Sequence, residues 1–353
     1  MSPSTTPSAA APKAPLAGVI AAFAAVYLIW GSTYLAIRFA IETLPPFLMA
    51  GVRFLIAGGL LYGFARARGV PRPTARQWGA ATVVGGLLLL GGNGGVVWSE
   101  LYVASGLVAL LVATEPLWVA LFDWARRGGR RPSRPTALGM LVGIAGVAIL
   151  VDPTSGNGGA TPWLPALVVL FAAGSWALGS IYSLRAPLPP SPLVATGAEM
   201  LAGGALLLVA GLVHGEAAAF DPAAVSLASL VGMGYLIVFG SLVAFSAYVW
   251  LLRVSTPSKV STYAFVNPVV AVLLGWLIAA EPLTPRVGAA AALVVAAVVL
   301  VTVGQRPGRS RAGAKPAPAA AAEPAPDLGP DRAGRSVCAG VELATGVPER
   351  TVA

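Results

Sequence analysis

Two polar side chains, Glu115 and Asn267, each stand directly before a proline inside an apolar stretch of the chain. Proline removes a backbone hydrogen bond and kinks a helix, so each polar group is expected at a bend. Glu115 lies near the middle of its stretch, where desolvation favours the neutral carboxyl and suits it to carry a proton. The pair therefore predicts a central binding site, although proline is also tolerated in membrane helices that have no such site.

Aromatic residues accompany both polar groups at helical spacing. Trp118 follows Glu115 by three positions, and Tyr263 precedes Asn267 by four, so each pair shares a helix face. These rings are expected to line the same site. The competing interpretation is that they pack between helices.

The composition is that of a membrane protein. Of the 353 residues, 57% are hydrophobic and 10% charged, whereas soluble domains average about 25% charged residues. The net charge of +9 does not indicate nucleic-acid binding, because Lys and Arg occur in short runs between apolar stretches. The single cysteine, Cys338, excludes an internal disulfide, and the single histidine, His214, excludes most histidine-based metal sites. We expect no cofactor; the expected partners are a small-molecule substrate and the lipid bilayer.

Ten apolar stretches approach the ~20 residues that a helix needs to cross ~30 Å of hydrocarbon. They cover residues 16–39, 46–65, 77–97, 103–123, 135–151, 163–184, 192–213, 227–251, 259–279 and 284–303. A nine-span interpretation would omit the fifth, which is the shortest. Residues 1–15 and 305–353 have compositions that cannot form a core, and we expect both to be disordered tails.

Positive charge alternates between the loops. Arginine and lysine occupy the even-numbered loops, at Arg66, Arg68, Arg72, Arg76, Arg126, Arg127, Arg130, Arg131, Arg134, Arg185, Arg253 and Lys259. The odd-numbered loops hold carboxylates, at Glu42, Glu100, Asp152, Glu216, Asp221 and Glu281, with Arg286 as their one basic residue. Because basic loops stay in the cytoplasm, both termini are predicted to be cytoplasmic. Arg38, near the outer end of the first span, is expected to pair with Glu42 one turn later.

The second half of the chain repeats the first in order. The matched stretches are "GSTY" at 31–34 with "GSIY" at 179–182, "GVRFLIAGGLL" at 51–61 with "GAEMLAGGALL" at 197–207, and "EPLWVALFDW" at 115–124 with "NPVVAVLLGW" at 267–276. Five spans are an odd number, so two tandem copies enter the membrane in opposite directions, as in many secondary transporters. The predicted repeats are residues 16–151 and 163–303.

Arg53 and Glu199 stand at equivalent positions of the two repeats with opposite charges. Two interpretations are open, a structural ion pair that joins the halves or a role in recognising a substrate or ion. Glycines on the same pair of spans are expected to let helices approach closely, at Gly58, Gly59, Gly203 and Gly204.

The candidate substrate-binding residues combine the central pair, its aromatic neighbours, the charged pair and the aromatic residues of the matched "GSxY" stretches. They are Trp30, Tyr34, Arg53, Glu115, Trp118, Tyr182, Glu199, Tyr263 and Asn267. No catalytic or metal-binding residue is expected.

The matched stretches, with "WSELYVASGLVALLVATEPLW" and "VSTYAFVNPVVAVLLGWLIAAEPLTPRVGAAAALVVAAVVLV", resemble the EamA-type permeases of the drug/metabolite transporter superfamily. The resemblance covers residues 16–303. It implies an all-α membrane protein of ten transmembrane helices in two inverted five-helix repeats, with a central cavity. It also implies export of small metabolites or drugs across the bacterial inner membrane. Glu115 departs from the family, which more often has an uncharged residue before this proline, whereas Glu281 matches a glutamate expected to be structural.

The main hypothesis is a secondary transporter working by alternating access, with proton coupling as a further hypothesis. An ATP-driven pump is not supported, because "GGNGG" at 91–95 lacks the lysine of a phosphate-binding loop. An intramembrane enzyme would need a nucleophile and base, or a metal cluster, within the spans. A receptor or scaffold would not need inverted repeats with central polar residues. Solute flux in reconstituted vesicles separates these classes.

The charge alternation generates a test of topology. Cysteines introduced at the termini and in the loop 126–134, in a Cys338→Ala background, should resist impermeant thiol reagents in intact cells, because these segments are cytoplasmic. A cysteine at Asn157, in an odd-numbered loop, should be labelled. The reverse pattern of labelling contradicts the orientation.

Overall fold

The computed structural model describes residues 15–125, 131–151, 162–255 and 263–304, and within these ranges every regular element is a helix. The long helices are α1 (Leu16–Ala40), α2 (Pro46–Ala67), α3 (Ala75–Ser99), α4 (Ser105–Ala125), α5 (Arg134–Val151), α6 (Trp163–Ser183), α7 (Pro192–Val213), α8 (Leu227–Tyr235, Leu236–Val243 and Ala244–Val254 in succession), α9 (Tyr263–Ala279) and α10 (Pro285–Gly304). A short helix, Glu216–Ala219, and a 3₁₀ turn, Pro222–Ala224, lie between α7 and α8. The expected tails and the loop basic residues Arg126, Arg127, Arg130 and Lys259 lie outside the described residues, as does Asp152.

Eight helices of the described residues are long and apolar enough to cross a membrane. The other two, α5 and α9, have shorter apolar parts, Arg134–Leu150 and Val266–Ala279. Large apolar side chains such as Leu141 and Phe171 are 67% and 66% exposed. Surfaces of this kind are rare on soluble monomers and suit contact with lipid. The described part of the chain is therefore all-helical and has the helices of a multi-pass membrane protein.

Helices α2 and α7 cross antiparallel through paired glycines. A Cβ atom on Gly58 would lie 2.9 Å from the carbonyl oxygen of Gly197, and one on Gly204 would lie 3.0 Å from that of Gly51. Early residues of α2 thus meet late residues of α7. Gly203 likewise lies against the backbone of Gly85 on α3, with 2.7 Å from its Cβ position to the carbonyl oxygen.

Gly59, one of the four glycines expected at this crossing, does not lie at the helix contact. A Cβ on Gly59 would meet no atom within 4 Å in the described part of the chain. The helical period explains the error, because Gly59 is rotated by about 100° from Gly58 and faces away from α7. Close approach therefore requires glycine at Gly58 but not at its neighbour.

Helices α5 and α10 form a second antiparallel pair. Gly139 packs against the backbone of Ala297, with 2.8 Å from its Cβ position to the carbonyl oxygen, and Gly146 packs against that of Ala290, at 3.3 Å. Arg286, at the start of α10, donates from Nε to the carbonyl oxygen of Ile149, 2.6 Å away, near the end of α5.

The third helix of each half contains a π-helical segment, Gly86–Gly94 in α3 and Leu236–Val243 in α8. Such segments are rare and frequently mark functional sites. Each carries a carbonyl that accepts a hydrogen bond from another helix. Ser175 Oγ donates to Leu87 O at 2.7 Å, and Trp30 Nε1 donates to Gly240 O at 3.2 Å.

Two carboxylates hold the N-termini of other helices. Glu216 accepts from the backbone N–H groups of Phe47 and Leu48, at 3.1 and 2.8 Å, at the start of α2. Glu281 accepts from Ser105 N and Gly106 N, at 2.7 and 3.0 Å, at the start of α4. Both satisfy backbone donors that a helix start leaves free, and Glu281 occupies the kind of structural position expected of it.

The backbone before Glu281 is strained. Ala280 has φ of 53°, in the left-handed region that favours glycine. The N–H of Glu281 donates to Gly275 O at 3.0 Å, which satisfies one of the carbonyls that the C-terminus of α9 leaves free.

Arg38 does not make the expected pair with Glu42 in the described structure. Its Nη1 instead donates to the backbone carbonyl of Glu100, at 3.1 Å. The Arg38 side chain therefore links α1 to the end of α3 and does not bond to Glu42 on the next turn of its own chain segment.

The glycine crossing generates a prediction about stability. Gly58→Ala should lower the thermal midpoint in detergent, because a methyl group so close to the α7 backbone forces the helices apart, at a cost of about 1–3 kcal/mol. Gly59→Ala is the matched control and should leave the midpoint unchanged or raise it, since alanine has the better helix propensity. Equal losses in the two variants would show that the crossing does not depend on this contact.

Candidate functional site

A cavity of about 220 Å³ lies where the π-helical segments and the proline-containing helices meet. Eight helices contribute to its wall, α1, α2, α3, α4, α6, α7, α8 and α9. The structure places these predicted residues on the wall: Trp30, Tyr34, Arg53, Glu115, Glu199, Tyr263 and Asn267. The two polar residues that precede prolines thus share one cavity.

Helix α4 is broken just before Glu115. Its first segment ends at Val112, and a second segment begins at Glu115. Between them Thr114 donates to Leu111 O twice, from its backbone N at 3.1 Å and from Oγ1 at 2.7 Å. Glu115 and Pro116 both line the cavity at this break.

In α9, Pro268 lies inside the helix and Asn267 is 8% exposed. With its amide oriented so that the nitrogen donates, Asn267 bonds to Tyr263 O at 3.2 Å and to Tyr27 O at 3.3 Å. The side chain therefore ties α9 to α1 beside the cavity. The same sequence pattern, a polar residue before proline, therefore occurs at a break in α4 but inside a continuous helix in α9.

An aromatic cluster lies at one side of the cavity, with Trp30 and Tyr263 on the wall and Tyr248 packed against both. Trp30 lies 5.2 Å from Tyr263 and 5.2 Å from Tyr248 between ring centroids, and the two tyrosines are 6.0 Å apart. The Trp30 contact with Tyr263 is edge-to-face, an arrangement that aromatic quadrupoles favour. Tyr248 was not predicted from the sequence, since its stretch has no matched counterpart there.

Arg53 is a cation with an unused donor at the cavity. It is 5% exposed, its Nε donates to Ser241 Oγ at 3.1 Å, and its guanidinium lies 4.6 Å from the Phe54 ring centroid. Among the described residues its Nη1 has no hydrogen-bond partner, and no salt bridge joins it to Glu199. The structural ion pair is therefore not formed, although both residues line the cavity.

Two predicted residues lie off the cavity wall. The Trp118 ring fills the space beside Gly174 on α6, 3.3 Å from its Cβ position. Val270, which matches Trp118 in the repeat, packs against Gly31 on α1. Tyr182 is 38% exposed near the end of α6. For Trp118, the packing interpretation of the aromatic stripe is the one that the structure supports.

Several polar wall residues were missed by sequence reasoning. They are Thr33, Asn93, Trp176, Thr196 and Ser241. Trp176 could have been found, because it matches Trp30 in the repeat. Asn93 and Ser241 belong to the π-helical segments, which have no known signature in the sequence. Within the described structure the buried Oδ1 of Asn93 has no partner, so the wall offers it to a solute.

The cavity wall combines charged, neutral polar and apolar groups. The described residues contain no group of three or more His, Cys, Asp or Glu that could bind a metal. The cavity instead presents one guanidinium, two carboxyls and several neutral polar groups on a largely apolar surface. Such a wall can orient a small polar molecule by a few hydrogen bonds.

The contacts of Arg53 generate a prediction. Arg53→Ala and Ser241→Ala should be coupled by about 0.5–3 kcal/mol in a double-mutant cycle, because the two side chains are in contact. Arg53→Ala and Glu199→Ala should be nearly additive, and exchanging the two charges should not restore stability. Thermal unfolding in detergent without solute measures both cycles. Recovery on charge exchange would show that the pair forms.

Comparison with known proteins agrees with this architecture. The model of the EamA-like transporter family matches residues 16–152 and 163–303. The inner membrane transporter YedA of Escherichia coli is 42% identical over 282 residues, 80% of this chain and 89% of its own. The transporter YvbV of Bacillus subtilis is 27% identical over 283 residues, 78% of this chain and 88% of its own. A crystal structure matches with a TM-score of 0.53 and 22% identity, over 82% of this chain and 98% of that chain. The chain belongs to the EamA-like transporter family.

Proposed function

We propose that this membrane transporter is a secondary carrier that moves a small organic solute by alternating access. The observation that carries the proposal is the cavity where eight helices meet, with Glu115 and Asn267 among the polar groups on its largely apolar wall. A carrier needs a solute site that two gates can expose in turn, and transporter sites are typically formed at interrupted helices.

We also propose that ten helices cross the membrane as two inverted repeats, residues 16–151 and 163–303. The two segments matched by the family model support this division. So does the packing pattern, because α1 contacts α8 and α9 while α6 contacts α3 and α4. A two-fold axis that exchanges the halves would make α2 meet α7 and α5 meet α10 antiparallel, as their glycine contacts require.

Both termini are proposed to face the cytoplasm of a bacterial cell, with the protein in the inner membrane. Basic residues such as Arg66, in the last turn of α2, and Arg185, just after α6, lie at helix ends that would face the cytoplasm. The acidic helix caps, Glu216 and Glu281, would lie at the outer end. With this orientation we propose export of the solute.

The size of the cavity favours a small metabolite over a drug. At about 220 Å³ it is smaller than the ~300–1,000 Å³ of typical drug-sized sites. Alternating access requires another conformation, in which the same wall residues face the opposite side.

Proton coupling through Glu115 is the mechanistic proposal. The carboxyl lies on the cavity wall at a helix break, where loss of water favours its neutral form. A proton and the solute would then compete for the site, and inward proton flow would drive export. The competing mechanism is that Glu115 neutralises Arg53 or a cationic solute, while the carrier merely equilibrates or exchanges solute.

The experiment uses purified protein in vesicles with an imposed pH gradient, screened with amino acids, nucleosides and cationic drugs. Wild-type protein should accumulate its solute against a concentration gradient. Glu115→Gln keeps size and hydrogen bonding but cannot titrate, so it should lose gradient-driven accumulation and retain solute exchange. Glu115→Asp keeps the carboxyl and is the control.

The outcomes separate the mechanisms. Wild-type flux that ignores the pH gradient, or Glu115→Gln flux that responds as the wild type does, excludes this proton role. Absence of flux for every solute class would favour a receptor or scaffold over a carrier.

A further inference from the structure

A polar layer lies one helical turn beyond the cavity wall, at one end of the bundle. Tyr34 on α1, Val96 on α3 and Ala109 on α4 line the cavity. Four positions further towards that end, the same helices carry Arg38, Glu100 and Ser105. Residues four apart share a helix face, so these three side chains form a layer above the wall.

Hydrogen bonds join the helices of this polar layer in pairs. Arg38 Nη1 donates to the backbone carbonyl of Glu100 at 3.1 Å. Ser105 donates from N and Oγ to Glu281 at 2.7 and 2.8 Å, and Glu281 is anchored to the end of α9. Ser99 Oγ donates to the carbonyl of Pro165 on α6 at 3.1 Å. These bonds join α1 to α3, α3 to α6 and α4 to α9 at this end of the bundle, and Glu100 of the first group lies near Glu281 of the last.

Glu100 is the anomaly in this layer. It lies just beyond the Ala75–Ser99 span and is 0% exposed. In the described part of the chain neither carboxyl oxygen has a hydrogen-bond partner. An ionised carboxylate without water or a donor is very costly to bury, so such a group is neutralised instead.

We propose that Glu100 is a proton-binding site that locks the polar layer over the cavity, closed when the carboxyl is protonated and released when it ionises. The lock is an addition to the proposed carrier and to its central carboxyl, and its role in transport rests on that proposed function. The layer lies at the outer end of the bundle in the proposed orientation, where it would control access from outside the cell.

The surroundings of Glu100 set the direction of its response to pH. Burial raises the pKa of the Glu100 carboxyl well above its usual range, the nearby carboxylate of Glu281 raises it further, and the Arg38 guanidinium opposes both. Tyr34, on α1, interacts electrostatically with Glu100 and with Glu115. Among the described residues, Ser105 on α4 and the Pro165 carbonyl on α6 add no titratable group to the layer.

The sign of the effect follows from this raised pKa. Stability of the closed layer is fully present below the pKa that Glu100 has when it is solvated, and is lost as the pH rises through the closed-state pKa. Ionisation then favours water entry and separation of Glu100 from Glu281, which carries the same charge. A proton arriving from outside would restore closure, the order of events that an exporter driven by inward proton flow requires.

The test measures access to the cavity without using a solute. Ala113 lines the cavity on α4 and is 6% exposed, so Ala113→Cys in a Cys338→Ala background reports when the layer opens. A membrane-impermeant maleimide is added to right-side-out and to inside-out vesicles. Comparing variants at the same pH removes the effect of thiol ionisation on the labelling rate.

Glu100→Gln mimics the protonated side chain and should stay closed. From the outer side, at about pH 9, the parent protein should be labelled at least about fivefold faster than Glu100→Gln, while at about pH 5.5 the two should agree within about twofold. Glu42→Gln, which removes an exposed carboxyl at the same end of the bundle, is the matched control and should behave as the parent. Glu100→Asp should keep the pH dependence.

Each result supports or overturns the lock. Equal labelling of Glu100→Gln and the parent on both sides at every pH overturns it. Should Glu100→Gln fail to fold by size-exclusion chromatography, Glu100→Leu supplies a second neutral variant with the same expectation. If the two proteins differ in labelling rate only from the inner side, the lock is supported and the proposed orientation is wrong. If the labelling depends on pH as expected but no solute is transported, the lock is supported and the proposed carrier function is wrong.

Discussion

The absence of water inside a membrane bundle is the constraint on which most of this structure depends. Every polar group that the helices leave free must find a partner on another helix. Ser175 and Trp30 do this for the carbonyls of the two π-helical segments, and Glu216 and Glu281 do it for the free N–H groups of α2 and α4. The same side chains that satisfy the backbone thereby decide which helices meet.

Within the described part of the chain, the few buried side-chain groups left without partners lie at the cavity or one turn beyond it. Arg53 Nη1 and Asn93 Oδ1 face the cavity, and the carboxyl of Glu100 lies one turn beyond it. Because buried polar groups without partners are costly, these three groups call for an explanation. In the cavity the partner would be the solute, and at Glu100 it would be a proton.

Sequence reasoning succeeded where a pattern reflects a simple physical requirement. Apolar length predicted the helices, and the internal repeat with its prolines predicted that Glu115 and Asn267 meet at one cavity. It failed where the helical period alone decides the outcome, as for Gly59 and Trp118, which are rotated away from the expected contacts. Glu100 looked like an ordinary loop carboxylate, because no local pattern shows that three other helices will cover it.

The strained residue before Glu281 has a thermodynamic consequence. Glycine would adopt the Ala280 conformation without penalty, whereas alanine there costs roughly 1–2 kcal/mol. That amount changes a ratio of two populations by about 5- to 30-fold. The strain lies in the segment that holds α4 to α9, so it offsets part of the stabilisation that Glu281 provides. In the proposed carrier, a conformation that releases this strain would lie closer in free energy to the one described here, because alanine and not glycine occupies the position.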